Sequence, residues 1–290
     1  MWPRMPRTRP SDAAVERRRQ DVLEYVTEQR EVRIDDLPER FGVSLMTIHR
    51  DLDDLADRRL LVKLRGKAEA YPALIVETAT RFRDGLNQPE KEALATAAVQ
   101  RVEPGQTVFL DDSTTLFPLA HRLAEVKQLV VITNSLRIAH ILGPSGGVEV
   151  ILLGGRYNNE FDSCIGPHVL AAMNRVRADI GFVSVTAVAA GRLYHPVQDY
   201  AELKMAALRA SNRNVLVVDN SKFGKTATYP HGNVGDYDLL ITDDAAPTAE
   251  IEAAVNFGTA VELVTVDHSI QEGVDHSIQE GKARADERDS

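Results

Sequence analysis

Apolar residues recur along this chain with two different periods, and the change from one to the other divides it. Up to about residue 57 the period is helical: Val15, Val22, Leu23 and Val26 share one face, and Leu45, Ile48, Leu52 and Leu55 share another. Ser11 or Asp12 is placed to cap the first of these helices, and Ser44 to cap the last, which runs to about Asp57. Between them Asp35 is expected to cap a short second helix, with Leu37 and Phe41 inward and Pro38 tolerated in its first turn. Gly42 supplies the turn into the third helix. Leu60 to Leu64 then alternates weakly, Gly66 turns, and Glu69 to Tyr71 returns as a second strand. Three helices and a small hairpin make a winged helix-turn-helix.

Beyond residue 87 the pattern changes. Asn87 is expected to cap the helix PEKEALATAAVQRV. The continuous apolar runs TVFLDD, LVVITN, VEVILLGG, DIGFVSV, NVLVVDN, DLLITD and AVELVTV follow, with helical stretches between most of them. Apolar strands alternating with helices predict a mostly parallel sheet covered on both faces, a Rossmann-like α/β domain. The expected organisation is an arm over 1–14, the winged helix over 15–72, a linker over 73–87, the α/β domain over 88–265 and a tail over 266–290. The tail repeats VDHSIQEG once, which is too short for a repeat architecture.

Composition limits the function classes. The 290 residues are 43% hydrophobic and 27% charged, as expected of a globular chain. No run approaches the ~18 apolar residues of a membrane span, and MWPRMPRTRP has no apolar stretch behind it to make a secretory signal. The single cysteine, Cys164, forms no internal disulfide and fits a reducing cytoplasm as a small buried hydrophobe. The net charge of −9 is unevenly spread. Residues 1–72 hold 15 Lys and Arg against 14 Asp and Glu, whereas residues 73–290 hold 19 against 29. Within the first part RRLLVKLRGK carries Arg58, Arg59, Lys63, Arg65 and Lys67 with no acid, a local patch suited to phosphates.

On the helix capped by Ser44, the solvent face carries Met46, Thr47, His49, Arg50 and Asp53. Thr47 and Arg50 lie within one turn and can reach phosphates or base edges of double-stranded DNA. In the second part, phosphate-suited residues stand at four strand ends: Ser113, Thr114 and Thr115 after Asp111; Asn134 and Ser135; Gly154, Gly155 and Arg156; Ser221 and Lys222. Ligands of open α/β sheets bind beyond such ends. Asp111, Asp199 and Glu202 are the carboxylates available to an isomerase-type base, which keeps a sugar-phosphate isomerase-like enzyme or binding module with a DNA-binding appendage as the alternative reading. No His/Cys cluster has metal spacing and no G-x-x-x-x-G-K occurs, so no metal, nucleotide or other cofactor is implied.

FGVSLMTIHRDLDDLADRRLLVKLRGKA resembles the helix-turn-helix of the DeoR family of bacterial transcription regulators, whose pattern is a Ser or Thr cap, T-I-R-R-D-L and a basic wing ending G-G-A. Ser44, Thr47, Ile48, Arg50, Asp51 and Leu52 match it, while His49 and Lys67 depart from it. The likeness extends through the sensor domain of that family, similar in fold to ribose-5-phosphate isomerase. The family's D-x-G-T-T stands as Asp111 to Thr115 with Ser113 for the glycine, T-N-S as Thr133 to Ser135 and L-G-G-R-Y as Leu153 to Tyr157. Its acidic-and-Lys segment stands as Glu202 and Lys204, and D-x-S-K-F as Asp219 to Phe223; VSVTAVAAGRLYHP replaces a small-residue loop. The resemblance implies a cytoplasmic regulator, a repressor of carbohydrate genes that releases its operator on binding a phosphorylated sugar. A single helix-turn-helix reads few base pairs, so a homo-oligomer is expected.

Overall fold

The structure, a computed structural model, describes residues 12–29, 31–57, 61–70 and 80–266. Two compact units divide the chain after Phe82. In the first, helices α1 (Asp12–Gln29), α2 (Leu37–Phe41) and α3 (Leu45–Asp57) are joined by strands β1 (Glu31–Arg33), β2 (Leu61–Leu64) and β3 (Lys67–Ala70). Val22, Leu23, Val26, Ile34, Leu37, Ile48, Leu52, Leu55 and Leu61 form the core. Each such side chain contributes about 1.5–3 kcal/mol when fully buried.

The winged helix-turn-helix is present, with local differences from the periodicity. Leu45 is 42% exposed, because it stands at the first helical position, short of the core. The second helix follows a 3-10 turn, Ile34–Asp36, and Asp36 rather than Asp35 precedes it, without a side-chain cap. The return strand begins at Lys67, two residues before the expected start, and pairs on its far side with β1, giving the order β1-β3-β2. β1 is three residues long, too short for a periodicity to register. Gly42 closes α2 at φ 62°, a left-handed conformation that favours glycine.

The same unit holds a buried carboxylate. Asp51, 2% exposed, accepts hydrogen bonds from Arg18 Nε at 2.7 Å and Nη2 at 3.2 Å, and from Arg19 Nε at 3.2 Å. The matched aspartate is thus a tie between α1 and α3.

Helix α4 (Thr80–Gly85) spans the division and leads to α5 (Gln88–Val99), and in the second unit seven strands form one parallel sheet. They are β4 (Thr107–Leu110), β5 (Leu129–Thr133), β6 (Val148–Leu152), β9 (Ala178–Val183), β12 (Ser211–Val218), β14 (Leu239–Asp243) and β15 (Ala260–Val264). Helices α5, α6 (Phe117–Leu123) and α7 (Leu136–Leu142) cover one face, where Val108, Leu110, Val131, Ile180 and Val217 point. On the other lie α8 (Pro167–Met173), α9 (Gln198–Ala210) and α10 (Thr248–Asn256), over Phe109, Ile132, Val183, Leu216 and Val218. The alternation of neighbours such as Val108 and Phe109 is the strand period of two.

The sheet order is β15-β14-β12-β9-β4-β5-β6. From β4 the chain winds outward to β6, then returns to the centre at β9 and winds the other way. In open α/β sheets such a reversal, here between the carboxyl ends of β4 and β9, is where a ligand crevice forms. Two antiparallel additions were not anticipated: the hairpin of β7 (Arg156–Asn158) and β8 (Ser163–Ile165), and a small sheet of β10 (Ala187–Ala189), β11 (Arg192–His195) and β13 (Tyr229–Asn233). Asn87 precedes α5 at φ 52° and makes no side-chain cap bond, its amide being used elsewhere. The expected linker thus contains a helix, α4; residues 71–79, the arm up to Ser11, and the repeat from residue 267 onward lie outside the described residues.

Asp51→Ala should lower the stability of the first unit by about 2–3 kcal/mol, the worth of hydrogen bonds to a charged group. Hydrogen exchange of the α3 amides in the full chain measures it; protection equal to wild type would mean that the tie contributes nothing.

Candidate functional site

The DNA-facing candidates sit on α3 and the β2–β3 turn. Ser44 caps α3: Thr47 N–H donates to its Oγ at 3.2 Å, and the two hydroxyls are 2.8 Å apart. Met46 (64% exposed) and Arg50 face solvent, with Thr47 and His49 half-buried beside them. Lys63 donates to Asp53 Oδ1 at 2.5 Å and to the His49 carbonyl at 3.3 Å, so it ties the wing to α3. Lys67 is engaged with Glu31 at 2.5 Å. Arg65 is exposed on the turn, and Arg58 and Arg59 lie outside the described residues.

In the second unit the crevice between β4 and β9 is built around a buried ion pair. Asp111 directly follows β4 and is fully buried. Its Oδ1 accepts from Ser113 N–H at 3.0 Å and its Oδ2 from Ser184 N–H at 3.2 Å, so the carboxylate is pinned across both strand ends. Lys204, one turn and a half into α9, donates to Asp111 Oδ2 at 2.5 Å, to the Ser184 carbonyl at 2.8 Å and to Ser113 Oγ at 3.3 Å. The ammonium thereby has three acceptors, which is what a buried charge needs.

Asp112 is buried beside this pair. Ser163 Oγ donates to its Oδ2 at 3.1 Å, and Tyr200 Oη lies 2.9 Å from the same hydroxyl. Burial holds the Asp112 carboxyl above the usual carboxylate range and the neighbouring Asp111 charge adds to this, against Lys204 and Arg83. Phe161, Tyr200 and His195 stack into a wall, with Tyr200 4.3 Å from Phe161 and 5.1 Å from His195. Val197 N–H donates to His195 Nδ1 at 3.1 Å, and burial pushes that ring well below its ordinary pKa, so it is neutral. His231 on β13 is 1% exposed, and burial followed by the Lys204 charge lowers it to about 3.

Buried cations stand among these groups. Arg83 is 7% exposed, its Nε has no partner among the described residues, and its guanidinium carbon lies 5.8 Å over Phe161. Lys91 is buried, donates to the carbonyls of Arg83 and Asp84, and is lowered by burial to about 8. Asn87 donates to Asp219 Oδ1 and to Ser221 Oγ, both at 2.9 Å, which explains why it does not cap α5. Lys222, on the turn after Asp219, is near enough for its charge to act on Lys91.

Of the residues singled out in the sequence, Asp111, Ser113, Thr114, Thr115, Asn134, Ser135 and Lys204 are all buried at this crevice. Thr114 Oγ1 donates to the Arg83 carbonyl at 3.3 Å, and Asn134 donates to the Cys164 carbonyl at 3.2 Å, leaving its Oδ1 unpartnered. Ser135 Oγ accepts from Ile138 N–H and caps α7. Glu202 does not join them: its neighbour is Gln198, on the same face of α9 at 2.8 Å. Arg156, 71% exposed, pairs with Asp199 instead. Gly154 is open, whereas a Cβ on Gly155 would fall 2.6 Å from Val169 Cγ2, so Gly155 is there for packing. The L-G-G-R-Y segment acts indirectly, by opening the hairpin that delivers Ser163 to Asp112.

The family comparisons agree with both halves. Residues 18–71 match the DeoR-like helix-turn-helix domain, and residues 86–244 match the DeoR C terminal sensor domain. The chain belongs to the DeoR family. It is 32% identical over 238 residues to an uncharacterized HTH-type transcriptional regulator, YgbI, of Escherichia coli K12, covering 82% of this chain and 93% of that protein. It is 31% identical over 251 residues to the glycerol-3-phosphate regulon repressor of the same organism, covering 85% and 98%. Among solved structures it is similar to ribose 5 phosphate isomerase A from Neisseria gonorrhoeae, at 16% identity over 49% of this chain and 54% of that one, with a TM-score of 0.34. The protein is a DNA-binding transcription regulator of the DeoR family, and no helix among its described residues is long and apolar enough to cross a membrane.

Arg83, Lys91, Asp112, Ser163, Ser184, His195, Tyr200 and His231 of this DeoR protein were not singled out in its sequence. Asp112 and Ser184 carried a usable signal, since a second carboxylate at a strand end and a polar residue inside GFVSVTAV both interrupt apolar runs.

His231 is neutral in the folded chain down to about pH 3 but titrates near 6.5 when unfolded. The unfolded state therefore binds more protons between those values, and stability falls as pH drops through that window. His231→Leu should flatten the acid limb of a thermal-melt profile; an unchanged limb would locate the acid sensitivity elsewhere.

Proposed function

We propose that the α/β unit binds a phosphorylated sugar or related polyol phosphate, and that binding releases the helix-turn-helix from its operator. One observation carries the ligand class. Around the Asp111–Lys204 pair, buried polar atoms stand without a hydrogen-bond partner among the described residues, among them Arg83 Nε, Asn134 Oδ1, Ser184 Oγ and Asp219 Oδ2. Each such group costs about 1–3 kcal/mol unless something satisfies it. The carboxyl, hydroxyl and amide groups of Asp112, Ser163, Tyr200 and Asn134 suit sugar hydroxyls. Arg83, Lys91, Thr114, Thr115 and Lys222 suit a phosphate. The relative named for the glycerol-3-phosphate regulon supports a phosphorylated ligand of small size.

Sensing is favoured over turnover by the state of the carboxylates. Asp111 is held by an ammonium, Asp199 by Arg156 and Glu202 by Gln198, so none of the three is poised to take a proton from a sugar carbon. The protein acts in the cytoplasm as a repressor, and as a homo-oligomer that aligns two recognition helices on half-sites. Ligand need only favour a conformation that docks poorly.

In a gel-shift assay on an operator selected from genomic DNA by the full chain, glycerol 3-phosphate, ribose 5-phosphate and fructose 6-phosphate are the first compounds to test. Release by one of them is expected, without chemical change in the compound; turnover of it would establish the enzyme instead.

On the DNA side, Arg50, Thr47, Met46 and His49 form the groove face, with Arg65, Lys63 and Lys67 on the wing. Arg50→Ala should weaken operator binding by roughly tenfold or more, since a base contact is worth about 1–3 kcal/mol, and leave the melting temperature in place. Arg65→Ala should reduce the salt slope of binding by about one. Lys63→Ala should also loosen the wing, because that ammonium is shared with Asp53 and His49. Operator affinity unchanged in Arg50→Ala would remove α3 from the groove.

A further inference from the structure

Arg83 combines three properties found together in no other described residue of the site. Its guanidinium is buried and makes no hydrogen bond or ion pair among the described residues, although Asp112 and Asp111 are the charges that chiefly compensate its burial. Those carboxylates are already committed, Asp111 to Lys204, Ser113 and Ser184, and Asp112 to Ser163. Its carbonyl is gripped by two residues of the same crevice, Lys91 Nζ and Thr114 Oγ1. And it is the first residue of the second unit, directly after the division of the chain.

We infer that Arg83 is the residue through which occupancy of the site is passed to the chain leading from the DNA-reading unit: its guanidinium takes two oxygens of the ligand's phosphate, and residues 80–91 shift or stiffen with it. This rests on the sugar-phosphate reading above. A planar fork suits two oxygens of one phosphate, which an ammonium cannot match. A ligand biases a conformational equilibrium only through contacts that differ between the two states. An arginine with no hydrogen-bond partner among the described residues that acquires one with ligand is such a contact. Its place in α4 ties the change to the segment between the units rather than to the strand ends alone, where Thr114 and Lys204 hold their partners already.

The test uses the full chain and inorganic phosphate as the probe, with chloride at equal ionic strength as the control, and reads hydrogen exchange by segment. Phosphate should slow exchange over residues 110–115 and change it over residues 80–91. Arg83→Met and Arg83→Lys should weaken phosphate binding by about tenfold or more, the loss of one charge-assisted contact. When phosphate is raised until protection over 110–115 is restored in the variants, the response over 80–91 should remain absent. Exchange of Val215–Val218 in the central strand checks that the variants are folded, and Arg83→Lys decides if the methionine variant is not. Protection over 110–115 with no response over 80–91 in wild type, or a response that survives in both variants, overturns the inference and leaves the sugar-phosphate reading standing. No protection over 110–115 in wild type overturns that reading and this inference with it.

Discussion

An ammonium and a carboxylate, both nearly excluded from water, lie at the point where the sheet reverses its direction of winding. Removing two charges from solvent costs several kcal/mol each even after relaxation, and their attraction offsets this only when every remaining donor and acceptor is satisfied. Lys204 and Asp111 meet that condition through the backbone of both strand ends: Ser113 and Ser184 donate to the carboxylate, and the Ser184 carbonyl accepts from the ammonium. The pair therefore does more than neutralise itself. It fixes the ends of β4 and β9 relative to α9, and those ends carry Asp112, Thr114 and the turn into α6. The residues around the crevice inherit their positions from it.

What surrounds the pair is polar but incompletely satisfied, and the two conditions belong together. A core built only for stability would place apolar side chains here, since replacing a buried ion pair by packed hydrophobes is often neutral or stabilising. Retaining Arg83, Lys91, Asp112, Asp219 and two neutral histidines in one buried region leaves free energy that a complementary ligand can recover. The second unit is acidic overall, yet Arg83, Lys91 and Lys204 are buried in it, so its net charge and its local charge are separate matters. The same separation lets the first unit meet DNA. Its balance is close to neutral, and exposed basic residues stand on α3 and the wing.

The elements were largely legible because both periods are strong. All seven apolar runs became strands of the parallel sheet, and Ile48, Leu52 and Leu55 went into the core as their spacing required. Motif residues at strand ends were legible as well, since a sheet of this topology gathers its carboxyl ends. The failures have physical causes. Asn87 looked like a cap by local chemistry, but Asp219 and Ser221, more than 130 residues away, compete for its amide. Glu202 and Lys204 were matched as one segment, yet two positions along a helix point about 200° apart, so burying Lys204 turned Glu202 outward. Arg83 was hidden by a linker reading, because a six-residue helix is too short to show an amphipathic period. Ser163, His195 and His231 reach the crevice on short hairpins, where three- to five-residue strands leave too little pattern to read.

The energetics of switching set how many contacts the crevice must provide. Moving a two-state equilibrium from 99:1 to 1:99 requires a ligand to prefer one state by about 10⁴-fold, or about 5.5 kcal/mol. Hydrogen bonds to charged groups contribute about 1.5–3 kcal/mol each. Two to four such bonds, made in one state and absent in the other, are therefore enough. Groups already saturated in the ligand-free protein contribute little to that difference, whatever they contribute to affinity. Lys204 is saturated, and Ser135 is spent on capping α7. The differential must come from groups whose partners are missing, and among the described residues Arg83 Nε, Asn134 Oδ1, Ser184 Oγ and Asp219 Oδ2 are such buried atoms. By this argument affinity and response are separable in the protein: the saturated residues shape the site, and the unsaturated ones move the equilibrium.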